Sequence, residues 1–242
     1  MSSPAPVLLA LETATETMYL GVAVGTRVLS RVDHGGAQAS ARLLPALLAL
    51  LEEAGVGLQQ VDAIAFGRGP GAFTGLRTAC SVTQGLAFGA GKPVLPIDTL
   101  LVVAEAARQH HGCTDVWATL DARMNEIYAA HYRHDGSRWH TQRPPALYSA
   151  PALAEQLARE GTPAVAGNAA EVHRASLATG PWQLLPDAVP DAGALLALAQ
   201  AAWARGEAVD AAEALPLYIR DKVAQTTAER EAQKSAQGEV AQ

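Results

Sequence analysis

The chain of 242 residues has only two cysteines, Cys80 and Cys113. Two thiols cannot build a disulfide framework or a cysteine-rich zinc site, and they fit a reducing compartment. Aromatic residues make up 5% of the chain, so alanine, leucine and valine must fill most of any core. Charge is sparse and leans acidic: 18 Lys and Arg against 24 Asp and Glu, a net −6. A general grip on nucleic acid needs a basic surface, which the chain as a whole does not supply. Long apolar runs are missing too. Leu43 to Leu51 and Ala192 to Ala204 are too short or too interrupted to span a bilayer, and Met1 to Pro6 has no basic leader pattern. The expectation is a cytoplasmic protein with no membrane partner. Hydrophobic residues reach 49%, enough for a buried core and too many for a disordered chain.

The pattern along the chain is α/β. Pro6 to Leu11 reads as a strand buried on both faces, and Met18 to Val24 and Val28 to Val32 follow around a Gly25-Thr26 turn, before a break at Gly35-Gly36. A helix capped by Ser40 runs to Ala54, with Gly55 at its end. Pro45 predicts a late start or a bend in it. Asp62 to Phe66 is a strand, Gly67 to Gly75 a glycine-rich loop, and Leu76 to Phe88 a helix. Val94 to Ile97 is a strand, and Asp98 or Thr99 caps a helix to His110.

The opening pattern then recurs. Val116 to Leu120 ends in Asp121, Ile127 to Tyr132 follows, and Asp135-Gly136 turns the chain into Arg138 to Gln142. A helix at Ala152 to Glu160, a strand at Pro163 to Ala166 and a helix at Ala192 to Arg205 complete it. Glu12 and Asp121 each end a strand seven residues before a tyrosine, Tyr19 and Tyr128. This predicts a duplicated βββαβα unit in two lobes, 1–104 and 105–206, with 207–224 returning to the first. The tail from 225 to 242 lacks an apolar stripe and reads as disordered.

The stretch Gly67-Arg68-Gly69-Pro70-Gly71-Ala72-Phe73-Thr74-Gly75-Leu76-Arg77 leaves a strand and enters a helix. Two readings of it stand. Arg68, Gly69, Gly71, Thr74, Gly75 and Arg77, with Glu12 nearby, can face a phosphate or nucleotide at a helix start. Alternatively, the glycines let two segments of backbone pack closely. It is not a Walker A loop, because no Lys-Ser or Lys-Thr follows. Beyond it, Ser81, Gly85 and Gly89 lie four apart on one helix face. Helical glycine costs about 1 kcal/mol relative to alanine, so a close helix contact is expected there, with Thr78 and Val82 beside it. The preceding helix carries two leucine stripes, Leu43, Leu47, Leu50 and Ala54, and Leu44, Leu48 and Leu51, an arc wider than one core-facing side requires. It is either sandwiched in its own lobe or also covered by a partner. On the second reading Leu47→Glu breaks association and leaves the lobes folded, and Gly85→Leu weakens the same contact.

Catalytic signals are few. The histidines show no metal-binding spacing, Cys80 sits among small helical residues, and no serine has a nucleophile-elbow context. No nucleophile–base pair supports a protease. Glu12 and Asp121 are the best acidic candidates for a magnesium site, against simple turn carboxylates.

Several segments together resemble the TsaB (YeaZ) family: Leu8 to Thr15, Gln38 to Pro45, Ala65 to Arg77, Asp121 to Tyr128 and Pro216 to Arg220. The resemblance implies an actin-like, Hsp70-like (ASKHA) fold of two lobes. It implies a part in forming N6-threonylcarbamoyladenosine beside the anticodon of tRNAs that read codons beginning with A. In that process the family looks like the non-catalytic partner of TsaD, the transferase, joined by the ATPase TsaE, with TsaC or its relative making the threonylcarbamoyl-adenylate. The helices at 40–54 and 76–88 would form the face for TsaD, or for a second copy in a homodimer. On this likeness tRNA meets the chain only through the complex, the chain alone holds no cofactor, and ATP or ADP with magnesium belongs at or near the joint with TsaD. The transferase's metal-binding His-x-x-x-His falls here on Thr99 and Val103. Glu12 stands where most of the family has aspartate. The alternative on the same fold is a free-standing ATP-dependent phosphotransferase that depends on Glu12.

Overall fold

A computed structural model describes residues 5–35, 39–161 and 164–220. Gly36, Gln38, Pro163 and the 225–242 tail therefore lie outside the described residues. Among these described residues ten strands form two five-stranded sheets. The first contains β1 (Val7–Glu12), β2 (Thr17–Val24), β3 (Arg27–His34), β4 (Ala63–Gly69) and β5 (Val94–Asp98), in the order β3-β2-β1-β4-β5. The second contains β6 (Asp115–Asp121), β7 (Glu126–His134), β8 (Trp139–Ser149), β9 (Ala164–Ala166) and β10 (Gln183–Leu185), in the order β10-β9-β6-β7-β8. Read from the edge hairpin, the two orders are the same. In each, two antiparallel hairpins lead into parallel pairing, β1 with β4 and β6 with β9. This is the duplicated two-lobe α/β plan expected of an actin-like chain.

The unit is longer than predicted, because β10 completes the second sheet. Its three residues are too few to show a period.

The helices are α1 (Ala39–Ala54), α2 (Phe73–Ala90), α3 (Thr99–His111), α4 (Ala150–Glu160), α5 (Ala169–Val172), α6 (Arg174–Leu177) and α7 (Ala192–Ala204). α1 starts at Ala39, so Ser40 lies inside its first turn rather than capping it, and Pro45 is accommodated within it. α2 begins at Phe73 and β4 reaches Gly69, which shrinks the expected nine-residue loop to Pro70–Ala72.

Both faces of the first sheet are buried, as the unbroken apolar run of β1 requires. Leu9 and Leu11 of β1, Leu20 of β2 and Phe66 of β4 pack with α1 and α2. Leu8, Ala10, Ala65 and Leu95 pack with Val102 and Ala106 of α3 and with Leu195, Leu196 and Ala199 of α7. α3 also turns Leu100, Val103 and Ala107 to Val116, Ala118 and Tyr132 of the second sheet, so it is the shared wall between the lobes. α7, grouped by sequence with the second lobe, covers the first sheet instead. The chain after it stays there: Val209 bridges to Val94, and Ala211 and Ala214 join the first core. The outer face of the second sheet carries Trp117, Ile127 and Val165 against α4, α5 and α6.

Candidate functional site

The glycine loop folds against its own chain. The turn after β1, residues 13–16, lies on the start of α2. Ala72 donates its N–H to the Ala14 carbonyl at 2.7 Å, and the Thr13 hydroxyl donates to the Gly75 carbonyl at 2.8 Å. A Cβ at Gly75 would lie 1.9 Å from the Thr13 carbonyl oxygen, and one at Gly71 2.5 Å from the Ala14 Cβ. The close approach that the glycines admit is to the β1–β2 turn, while Gly71 and Thr74 also border the open space between the lobes. The peptide bond before Pro70 is cis.

Glu12 explains a third glycine. It is fully buried. Its carboxylate accepts the Ala14 N–H at 2.7 Å and the Thr99 hydroxyl at 2.8 Å. A Cβ at Gly67 would sit 1.8 Å from that carboxylate. Burial raises the Glu12 pKa above the ordinary carboxylate range, against the lowering effect of the Ala14 amide, the Thr99 hydroxyl and the Thr13 amide. The sequence left Glu12 either near a nucleotide and magnesium or as a turn carboxylate bonding local amides. Its bonds to the Ala14 amide and the Thr99 hydroxyl match the second, inside the lobe and away from solvent. Arg68 is likewise engaged, with Nε 2.6 Å from Asp98, and Gly69 donates to the Thr99 hydroxyl at 3.1 Å.

An open cleft of about 750 Å³ lies between the lobes. The β1–β2 turn (Thr15, Thr17), the first turn of α2 (Phe73, Thr74) and the β6–β7 turn (Asp121 to Met124) line it, with Tyr19 and Tyr128 on its walls. The two tyrosines counted in the sequence thus face one space. Arg123, Met124 and Asn125 all have positive φ, 59°, 54° and 59°. This left-handed turn brings Arg123 to Glu16 of the other lobe at 2.8 Å. Asp121 stays near the cleft, its carboxylate accepting the Arg123 N–H and lying 3.2 Å from the His173 ring. Of the two acids that the fold's ATP–magnesium pair would use, only Asp121 borders the cleft. Glu12 and Asp121 therefore do not face one another across the cleft as a magnesium-binding pair.

A C-terminal strap crosses one side. Leu217 donates its N–H to the Arg68 carbonyl at 2.7 Å, Tyr218 lies against Phe73 with ring centres 5.3 Å apart, and Arg220 pairs with Glu126 of the second lobe. Arg77 sits over the Phe73 ring at 3.8 Å and donates to the Tyr218 hydroxyl. Thr74 and Arg77 also line a shallow groove with Ser40, Thr78, Ser81 and Val82.

The two helices divide the predicted partner residues. Leu43, Leu47 and Leu51 are buried in the first core and cannot meet a partner. Leu44 and Leu48 are 40% and 47% exposed. On α2, Ser81, Gly85 and Gly89 face solvent, Thr78 and Val82 are half-buried, and Phe88 is 61% exposed. An added Cβ at Gly85 or Gly89 meets nothing within 4 Å. Among the described residues nothing therefore offsets their cost to the helix. Sequence reasoning missed Phe88, although it follows Gly85 by one helical turn, and missed Tyr218 and Arg220 as parts of the strap.

Comparison with known proteins places the chain. The family model of TsaD, tRNA N6-adenosine threonylcarbamoyltransferase, matches residues 36–237. The tRNA threonylcarbamoyladenosine biosynthesis protein TsaB of Escherichia coli is 32% identical over 232 residues, covering 90% of this chain and 96% of that protein. The chain belongs to the TsaB (YeaZ) family. The TsaB protein of Haemophilus influenzae is 46% identical over 126 residues, half of this chain and 51% of that one. The structure of YeaZ from Pseudomonas aeruginosa superposes with a TM-score of 0.81 at 39% identity, covering 88% of this chain and 99% of that one. A second, described as an uncharacterized protein with similarity to peptidase YEAZ from Pseudomonas aeruginosa, gives 0.82 at 39% identity, with 89% and 100% covered.

Thr99 and Val103, the positions that the resemblance matched to the transferase's metal ligands, both lie in the interior. Thr99 is buried with its hydroxyl bonded to Glu12, and Val103 is a core side chain. Cys80 is buried in the first core, and burial pushes its thiol up to about 11. Among the described residues no helix is long and apolar enough to cross a membrane.

Proposed function

We propose that this chain takes part in threonylcarbamoyladenosine formation on tRNA as a non-catalytic subunit that binds and activates TsaD. The observation that supports it best is the exposed side of α1 and α2. There Leu44, Leu48 and Phe88 stand out from the surface, and Gly85 and Gly89 leave space that nothing among the described residues fills. Glycine on an exposed helical face costs stability unless another backbone comes close. An apolar, low-relief face of this kind suits a helix of TsaD, or a second copy of this chain in its absence. TsaE joins that pair. Transfer chemistry belongs to TsaD, because Thr99, Val103 and Glu12 are tied up in packing here. We place ATP or ADP, with magnesium, at or near the joint with TsaD rather than in this chain's cleft. The burial of Glu12 weighs against a free-standing phosphotransferase.

Reconstitution with TsaD, TsaE, the adenylate-forming enzyme and unmodified tRNA tests this. Modification should need this chain and should fall steeply with Leu48→Glu at unchanged melting temperature. Full modification without the chain would refute the proposal.

A further inference from the structure

A second cavity, of about 520 Å³, opens between α3, the end of α7 and the β7–β8 hairpin, and shares no lining residue with the inter-lobe cleft. Its volume is in the range of small-molecule sites. Leu101, Ala197, Leu198 and Ala201 make an apolar floor beside Trp139, and Arg108, Arg138, Arg205 and His134 stand around it. Its acids are already used. Glu105 accepts from Arg108 through Nε at 2.8 Å and Nη2 at 2.7 Å, from Gln109 at 2.7 Å and from the Trp139 indole at 2.9 Å. Glu207 accepts from Arg205 at 2.6 and 2.8 Å. At the rim, Asp135 takes the Ser137 and Arg138 amides and faces His140.

The donors are not used up. Each paired arginine keeps its Nη1 group free of the carboxylate that holds it. The Arg138 side chain makes no ion pair among the described residues, and its hydrogen bond there goes to the His140 ring at 3.4 Å. His134 accepts the Gly136 N–H on Nδ1 at 3.1 Å, which leaves the proton of the neutral ring on Nε2. Guanidinium groups held in place by carboxylates, with donors to spare above an apolar floor, match a phosphate attached to a flat ring. We propose that this pocket binds a phosphorylated nucleotide unit, free or within RNA, with the base on the Leu101–Leu198–Trp139 floor and the phosphate on the arginine rim. The pocket spans both lobes, so an occupant ties the hairpin of one to the helices of the other. The net −6 makes the whole chain a poor RNA grip but does not describe this pocket, where three arginines outnumber two glutamates, each already paired with one of them. The inference is independent of the role with TsaD.

The test uses the full chain with two probes, adenosine 5′-monophosphate by calorimetry and an unmodified tRNA transcript by fluorescence anisotropy. Wild type should bind at least one. Arg138→Ala, which removes no ion pair, should weaken that binding about tenfold. If tRNA is the ligand, Arg138→Ala should also reduce the log–log salt slope by about one. Ala201→Trp should block the floor and abolish binding at an unchanged melting temperature. Arg27→Ala, on the far edge strand, should change nothing. Binding of tRNA alone identifies RNA as the source, binding of the mononucleotide alone identifies a free nucleotide, and binding of both supports the shared chemistry. Absence of binding by both probes, equal binding by Arg138→Ala and Ala201→Trp, or an equal loss in Arg27→Ala would overturn the proposal.

Discussion

The two lobes share one strand order and differ in what covers it. The first sheet is closed by α1 and α2 on one face and by α3 and α7 on the other. In the second half, the place of the 18-residue α2 is taken by two four-residue turns of helix, α5 and α6. The strand-end acid differs too: Glu12 is sealed inside its lobe, whereas Asp121 borders the cleft. Duplication has preserved the sheet, whose pairing tolerates few alternatives, and has left helices and turn chemistry free to diverge. Among the described residues only the first half keeps a long pair of helices, α1 and α2, with an exposed apolar side, where the proposed partner would dock.

That asymmetry is broken most severely inside α1. Leu47 is fully buried and Leu48, its neighbour, is half-exposed. Replacing Leu47 by Glu removes a core side chain and buries a charge, a loss of about 4 kcal/mol or more. The chain should unfold or melt far lower, contrary to the sequence expectation that Leu47→Glu would only dissociate a complex. Leu48→Glu should leave thermal melts unchanged and abolish co-sedimentation with TsaD. Equal melting behaviour of the two variants would mean that α1 is not seated as described.

The glycines of α2 give the next contrast. Gly75 opens onto the Thr13 carbonyl, and Gly85 onto empty space. Gly75→Ala forces backbone apart and should cost about 2–3 kcal/mol in urea unfolding. Gly85→Ala should stabilise the isolated chain by about 1 kcal/mol while weakening the complex. A Gly85→Ala variant of unchanged complex affinity would show that the partner does not approach the helix there.

Much of this plan was legible before any coordinates. Alternating and continuous apolar runs located β1 to β7, β9 and the start of β8, and the Glu12–Tyr19 and Asp121–Tyr128 spacing pointed to the duplication. The failures share a cause, since they turn on which side of an element faces what. Leu43 and Leu44 look alike in a stripe, and only the sheet beneath α1 separates them. The glycines at 67, 71 and 75 announced a close approach, but not that its partner lies some sixty residues earlier in the chain. α7 reads as a member of the lobe it follows, because nothing local says that it crosses to the other sheet. β10 and the short α5 and α6 lack the length to show a period.

Glu12 offers a smaller, pH-dependent contrast. Burial holds its folded pKa above the ordinary value. Between those two values the unfolded chain has lost the proton and the folded chain keeps it. Stability is therefore full below the ordinary glutamate pKa and falls as pH rises through the window. Glu12→Gln cannot ionise, so its stability relative to wild type should grow across that window, measured as urea midpoints against pH. A constant difference would mean that the carboxylate is not buried as described.

The smallest expected effect separates a hinge from a latch. Arg123 and Glu16 form an ion pair across the mouth of the inter-lobe cleft, but their side chains are 74% and 83% exposed. Water and salt screen such a pair, so Arg123→Ala should change stability by less than about 0.5 kcal/mol. The lobes are joined instead by the shared wall of α3 and by the strap, where Arg220 is largely shielded as it meets Glu126. Arg220→Ala should then raise amide exchange in the β6–β7 turn more than Arg123→Ala does. If Arg123→Ala has the larger effect, the exposed pair holds the cleft closed, and the strap is a passive crossing of the chain.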